Sequence, residues 1–315
     1  MKSILALLLK GVVSLASLFL LARAVDWGEM GKVLAHAKFS WVVLALLFFW
    51  VAQIFSALRC VYIARTLGRT LNLSTSLRAH MVGLWFNQVF PTSLGGDVIK
   101  IAMLKEPLGL SIALRSVILD RLSGLIFMLL AIALTLPLYA EIFSQRPNLT
   151  FALSVLSIVG ITATVLCAWG AHYLQRSRSI HLVLHKLVQL FSDIWLFRMK
   201  KSMWEQLWTS AIVHFNGIAA FALLGLALGI SVDFVTFLLL VPLVSLIALM
   251  PISFAGWGVR EAGAVWLFGI AGIAKESSLA MAISFGLLLV LAGLPGLFLF
   301  LYQSSKRRVS RSNGR

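Results

Sequence analysis

Long apolar runs separated by short polar segments dominate the chain. At 1.5 Å per residue, a helix of about 20 apolar residues crosses the ~30 Å hydrocarbon core of a bilayer. The runs are Ser3–Val25, Ser40–Ala64, Leu77–Leu104, Ser111–Pro137, Leu149–Tyr173, Leu207–Gly229, Val232–Met250, the stretch ending at Ala274, and Ser278–Tyr302. This pattern predicts an all-α polytopic membrane protein, with residues 1–305 forming one transmembrane domain and residues 306–315 a basic tail.

Two places in this pattern are broken by proline and glycine. The first break lies in residues 90–98 (FPTSLGGDV) and the second in residues 250–259 (MPISFAGWGV). Pro91 and Pro251 each remove a helical hydrogen-bond donor, and the glycines that follow allow tight turns. A single break is most simply an ordinary helix kink. Two matching breaks predict two broken hairpins, which leaves about six full transmembrane helices. The first hairpin is predicted to be re-entrant, because Asp97–Leu104 spans only about 12 Å, whereas the sequence leaves open whether the second is re-entrant or a full crossing.

The order of spans and breaks repeats along the chain. Residues 1–140 and 149–302 each contain two spans, a broken hairpin and a further span, and the two halves begin on opposite sides of the membrane. We therefore predict an inverted repeat. Such repeats recur in secondary transporters, whose substrate sites lie at broken helices near the bilayer midplane.

Charge sets the predicted orientation. The chain has 27 Lys and Arg residues against 11 Asp and Glu residues, and the basic ones cluster after Ala64, in residues 176–205 and in the tail. The positive-inside rule places these segments and both termini in the cytoplasm. Apolar residues recur at helical spacing within residues 176–205, which predicts an amphipathic helix in the cytoplasmic interface.

Composition excludes several classes of protein. The chain is 60% hydrophobic and 12% charged, whereas soluble domains carry roughly 25% charged residues. The basic residues do not form an aromatic-interleaved face, so nucleic-acid binding is not expected. Cys60 and Cys167 are too few for a disulfide framework or a cysteine metal cluster. Because the sequence has no zinc-ligand spacing, nucleophile elbow or Walker A loop, we expect no metal, cofactor or catalytic residue.

Several charged residues fall inside predicted spans, where a charge costs at least about 2.5–3.5 kcal/mol on insertion scales. They are Asp97, Asp120, Arg121, Arg260 and Glu261. Adjacent residues on a helix do not face one another, so we expect the Asp120–Arg121 pair to find partners in the Arg260–Glu261 pair. A structural ion-pair lattice and a headgroup site that uses part of this charge are both compatible with the pattern.

The two breaks add candidate groups for a headgroup site. A helix that restarts at Gly96 or Gly258 presents N–H groups and the positive end of its dipole, which favour an anion such as a phosphate. Asn87 supplies a further polar group, although such a residue alone is more often an interhelical contact. The predicted headgroup-binding residues are Asn87, Gly95, Gly96, Asp97, Asp120, Arg121, Gly256, Gly258, Arg260 and Glu261.

Three motifs in order carry a resemblance to a known family. They are Asn87-x-x-x-Pro91-x-x-x-Gly95-Gly96-Asp97, then Asp120-Arg121, then Pro251-x-Ser-x-x-Gly256-x-Gly258-Val259-Arg260-Glu261. Over nearly the whole chain the sequence resembles the flippase-like transmembrane region of the lysylphosphatidylglycerol synthases. Trp257 departs from the pattern, since many relatives carry a smaller residue there.

The resemblance implies lipid translocation in a bacterial cytoplasmic (inner) membrane. The soluble domain that makes the aminoacylated lipid in two-part synthases is missing, so aminoacyl transfer is not expected. We predict that a phospholipid or related polar lipid is flipped, with its headgroup bound at midplane between the broken helices. The lipid stays open among anionic, aminoacylated and isoprenoid types.

Two alternatives to a flippase remain at this point: an integral-membrane enzyme of lipid headgroup modification, and a scaffold for a lipid-synthesis complex. A second copy of the chain and a lipid-synthesis enzyme are the candidate protein partners.

Overall fold

A computed structural model describes residues 11–12, 14–17, 19–21, 23, 25–90, 95–144, 146–174, 192–194, 200–250, 253 and 255–312. All regular structure in these residues is α-helical, including the described residues between 11 and 23. The helices that follow are α1 (Trp27–Ala35), α2 (Phe39–Thr66), α3 (Leu73–Val89), α4 (Gly95–Leu108), α5 (Leu110–Leu134), α6 (Leu136–Ile142), α7 (Pro147–Leu174), α8 (Lys200–Ala227), α9 (Phe234–Leu249), α10 (Val259–Ile270) and α11 (Lys275–Ser312).

Five helices in the described part of the chain are long and apolar enough to cross a membrane, which confirms the multi-pass architecture. They are α2, α5, the Pro147–His172 part of α7, the Lys201–Ala227 part of α8, and the Lys275–Tyr302 part of α11. The run at Val232–Met250 forms α9, whose 16 residues extend about 24 Å and fall short of a ~30 Å core. The first predicted span lies partly outside the described residues.

Acidic residues cap the N-termini of two helices, α1 and α9. The carboxylate of Asp26 accepts the N–H groups of Gly28 (2.8 Å) and Glu29 (3.2 Å) at the start of α1. Asp233 accepts the N–H of Thr236 (2.7 Å) at the start of α9. Each carboxylate satisfies helix donors that have no backbone partner, so both loop-to-helix junctions are defined by the sequence itself.

The chain divides into two compact units, each built from separate stretches. The first unit contains residues 1–53, 77–100 and 216–315, and the second contains residues 54–76 and 101–215. The boundaries fall inside α2, α3, α4 and α8.

Small residues pack the helices of the first unit closely. One buried cluster joins α2, α8 and α11 and consists of Ala45, Phe49, Ala220, Leu224, Leu288 and Ala292. Trp50 adds a hydrogen bond from its indole N–H to the carbonyl of Ala292 (3.2 Å). Pro295 lies three residues further along α11, where the helix loses one of its own hydrogen bonds.

The second unit is tied together by ion pairs as well as by packing. Arg65 on α2 pairs with Glu205 on α8, and Arg115 on α5 pairs with Asp193. Asp193 belongs to the predicted amphipathic segment, residues 176–205, most of which lies outside the described residues. The last residues of this segment, 200–205, form the start of α8.

Candidate functional site

The first sequence break separates two helices, as predicted. α3 ends at Val89 and α4 begins at Gly95, while Pro91 lies outside the described residues. The helices approach closely where Gly83 of α3 faces Gly96 of α4, because a Cβ on Gly96 would overlap the Gly83 carbonyl oxygen. Glycine is therefore required at this crossing for steric reasons.

The two arms of the first break run antiparallel and form a helical hairpin. Residue 96 lies against residue 83, and four positions later Lys100 Nζ contacts His80 Nε2 at 2.6 Å, with both side chains buried. The second arm is longer than the sequence predicted, since α4 extends to Leu108 and is about 21 Å long. The predicted arm ends at Leu104.

The side chain of Asn87 caps the N-terminus of α4. Its side-chain oxygen accepts the N–H of Gly96 at 2.8 Å. The prediction that this N–H is free for an anion is therefore wrong for Gly96. Asp97 follows in the first turn and is half-buried, where its negative charge is favourable at the positive end of the helix.

The second break also separates two helices. α9 ends at Leu249 and α10 begins at Val259, while Pro251 lies outside the described residues. Gly256 (φ 82°) and Gly258 (φ 84°) both adopt the left-handed conformation. Because side chains with a Cβ rarely adopt this conformation, the turn depends on these two glycines.

The arms of the second break form another antiparallel hairpin. Near the turn, Ile247 of α9 packs against Gly263 of α10. Further from the turn, the rings of Phe237 and Phe268 lie 5.6 Å apart. Each of the two matching sequence breaks is thus the turn of a hairpin.

Glu261 accepts hydrogen bonds from both a backbone N–H and an arginine side chain at the second turn. Its Oε2 accepts the N–H of Gly258 at 2.6 Å, and its Oε1 accepts the Nε–H of Arg260 at 3.0 Å. The side chains of Glu261 and Arg260 are 0% and 5% exposed. The Arg260 guanidinium also lies over the Trp257 ring, 4.8 Å from its centre, where a cation–π contact is favourable. The Gly258 N–H is therefore not free for an anion either.

The predicted charge pairing is wrong for Asp120 and for Arg260, each of which has another partner. Asp120 accepts a hydrogen bond from Arg59 Nε at 2.8 Å, and Arg260 pairs with its own neighbour, Glu261. Neighbours can pair here because Glu261 folds back onto the helix start, which brings its carboxylate beside Arg260. Arg59 is absent from the predicted site residues, although an arginine inside the run Ser40–Ala64 is itself a signal of a buried partner.

α11 packs against both hairpins through glycines. The contacts are Gly286 with Arg260 and Trp257, Gly293 with Trp85, and Gly296 with Met81. Residue numbers rise along α11 as they fall along α3, so these two helices are antiparallel where they cross. The end of α3 therefore points toward the segment of α11 that contacts the second turn, about 10 Å from Gly293. α11 therefore contacts both hairpins, at positions seven residues apart.

The predicted headgroup residues divide between the two units. Those in the first unit are Asn87, Gly95, Gly96, Asp97, Gly256, Gly258, Arg260 and Glu261. Asp120, which is buried, and Arg121, which is half-buried, lie on α5 in the second unit. In the part of the chain that the structure describes, no three His, Cys, Asp or Glu side chains are grouped to hold a metal ion.

Comparison with known proteins identifies one family. Residues 7–296 match the family described as "Lysylphosphatidylglycerol synthase TM region", which is the family that the sequence motifs resemble. No curated protein and no solved structure matches the chain.

Proposed function

Because the chain belongs to the lysylphosphatidylglycerol synthase TM region family, we propose that it translocates a polar lipid across the membrane. In this proposal the headgroup moves between the two hairpins of the first unit, and the acyl or isoprenoid chains stay in the surrounding lipid. The two repeat halves, residues 1–140 and 149–302, would supply one hairpin each.

The contact of both hairpins with α11 is the observation that supports this function. Broken helices inside a membrane are tolerated where they are buried in protein or line a polar cavity, and transporters bind substrates at such breaks. Each hairpin also buries ionisable side chains: Lys100 and His80 pair between the arms of the first hairpin, and Arg260 and Glu261 pair at the turn of the second. Ionisable groups within membrane segments commonly mark substrate pathways.

The capped turns suggest how a headgroup is received. A guanidinium has five N–H donors, and Arg260 uses its Nε and one terminal nitrogen on Glu261. A lipid phosphate, like a carboxylate, accepts charge-assisted hydrogen bonds from a guanidinium. We propose that the phosphate competes with Glu261 for Arg260, which would also release the Gly258 N–H. At the first hairpin, displacement of Asn87 would release the Gly96 N–H in the same way.

Transport by the purified full-length chain tests this proposal. The protein would be reconstituted into phosphatidylglycerol vesicles that contain a fluorescent phosphatidylglycerol, and a membrane-impermeant quencher would report the inward–outward exchange. We expect exchange well above that of protein-free vesicles, falling about tenfold or more in Arg260→Ala, since charge-assisted hydrogen bonds to the phosphate are lost. Arg260→Lys should retain part of the rate because it keeps the charge.

Arg78→Ala is the matched control, because Arg78 is an exposed arginine on α3. Thermal unfolding of each variant separates lost transport from lost folding. Exchange no faster than in protein-free vesicles would contradict the proposal, as would an unchanged rate in a folded Arg260→Ala protein.

The enzyme and scaffold alternatives predict different results in the same preparation. An enzyme would change the headgroup covalently, which mass spectrometry of the vesicle lipids would detect. A scaffold would show no exchange, and charge substitutions would alter only the copurification of a lipid-synthesis enzyme.

A further inference from the structure

A largely apolar cavity of about 450 Å³ lies within the second unit, inside the size range of small-molecule sites. Residues of α5, α7 and α8 line it, together with Ile194. None of the lining residues is charged: they are Ser123, Ile126, Phe127, Leu130, Ile161, Thr164, Val165, Ala168, Ile194, Met203, Gln206, Leu207 and Ser210.

Gln206 is the unusual member of this lining. Its side chain is buried, with a residue exposure of 7%, and neither its amide oxygen nor its amide nitrogen has a hydrogen-bond partner in the described structure. Burying a primary amide without partners is unfavourable, and most buried polar groups are hydrogen-bonded. The wall therefore presents one donor group and one acceptor group that are unused.

Two other hydroxyl groups of the cavity lining differ from Gln206 because each has a hydrogen-bond partner. The Thr164 hydroxyl donates to the carbonyl of Gly160 at 2.8 Å, and Ser210 Oγ accepts from Arg59 at 2.9 Å. The charge of Arg59 is offset by Asp120 at 2.8 Å. The cavity thus combines apolar walls, no net charge and one unsatisfied amide.

We propose that this cavity binds one acyl chain of a membrane glycerolipid, with the uncharged ester at the end of that chain bonded to Gln206. The ester carbonyl accepts a hydrogen bond from the amide N–H₂ of Gln206. A phosphate or a free carboxylate does not fit, because either would bury a charge without a counter-ion. The site lies in the second unit and does not depend on translocation through the first.

Photo-crosslinking in vesicles tests the site. The full chain would be reconstituted with a trace of phosphatidylglycerol carrying a diazirine on one acyl chain, and labelled peptides would be mapped by mass spectrometry. We expect labels on α5, α7 and α8 residues of the cavity, with about five- to tenfold less label there in Gln206→Leu. The same variant should unfold at a higher temperature, because the unpaired amide is replaced by an apolar side chain of similar size.

Two further variants and a second probe make the result decisive. Ser154→Ala should label as the wild type does, since Ser154 lies on α7 outside the cavity lining and its hydroxyl donates to the Thr150 carbonyl within the same helix. Ala168→Phe fills the cavity and should abolish cavity labelling whether or not the amide is present. A diazirine fatty acid should label the cavity less than the ester lipid does.

The proposal is overturned if cavity residues are not labelled, or if Gln206→Leu and Ala168→Phe label as strongly as the wild type. Stronger labelling by the fatty acid than by the ester lipid would overturn it as well. The assay measures binding, so its failure is distinct from a failure of lipid exchange.

Discussion

Arg59 on α2 donates its Nε–H to Asp120 Oδ1 on α5 across 2.8 Å, and the two side chains are only 6% and 8% exposed. The same guanidinium donates to Ser210 on α8. One arginine therefore connects three candidate spans inside the second unit. Removing a single partner of such a pair leaves an uncompensated buried charge, whereas replacing both partners with apolar residues removes that problem.

Asp120→Ala should lower the free energy of unfolding by about 3–5 kcal/mol, because Arg59 would remain buried without its counter-charge. The double variant Arg59→Met with Asp120→Leu should recover most of that loss. Thermal or denaturant unfolding in detergent would measure both. A single variant as stable as the wild type, or a double variant no better than the single one, would show that the pair does not matter for stability.

Gly296→Ala should destabilise the first unit, since the new methyl group would overlap the Met81 carbonyl and force α3 and α11 apart. Overpacking of this kind typically costs about 1–3 kcal/mol. Gly217→Ala is the matched control: Gly217 is also inside a helix, and a Cβ there would meet nothing within 4 Å. The control should be neutral or more stable by about 0.5–1 kcal/mol, because alanine favours helix more than glycine does. Equal unfolding temperatures for the two variants would contradict the close packing of α3 on α11.

Asp233 should make the free energy of unfolding fall as the pH becomes acidic. Hydrogen bonds from the Thr236 hydroxyl and backbone N–H lower the pKa of this carboxyl. A lowered folded-state pKa stabilises the fold fully above the unfolded pKa of about 3.9, and the effect is lost as the pH falls through the folded value. Asp233→Asn keeps an N-cap but no charge, so the wild type should be more stable at pH 7, by less than about 1 kcal/mol at this exposed position. The two proteins should converge once the pH falls below the folded-state pKa of Asp233, and a difference that persists there would exclude the charge as its cause.

Much of the architecture could be predicted from residue order. Five of the spans predicted from the lengths of the apolar runs are present in the structure. Length is informative because the favourable free energy of transferring apolar residues into hydrocarbon adds up along a contiguous segment. The interruptions at the two breaks were also predictable, since proline and glycine break a helix through local backbone geometry. The family could be recognised from the same motifs.

The partners of the buried groups could not be predicted in this way. Asp120 has Arg59 as its partner, 61 positions away, and Gly296 matters because Met81 lies against it. Both facts depend on which helix faces which, and helix-facing is set by the packing of all the spans together. Residue order by itself determined a multi-pass helical membrane protein with two broken hairpins. Only the tertiary structure decided that both hairpins contact α11 and that Gln206 is buried unpaired, because these contacts join residues distant in sequence.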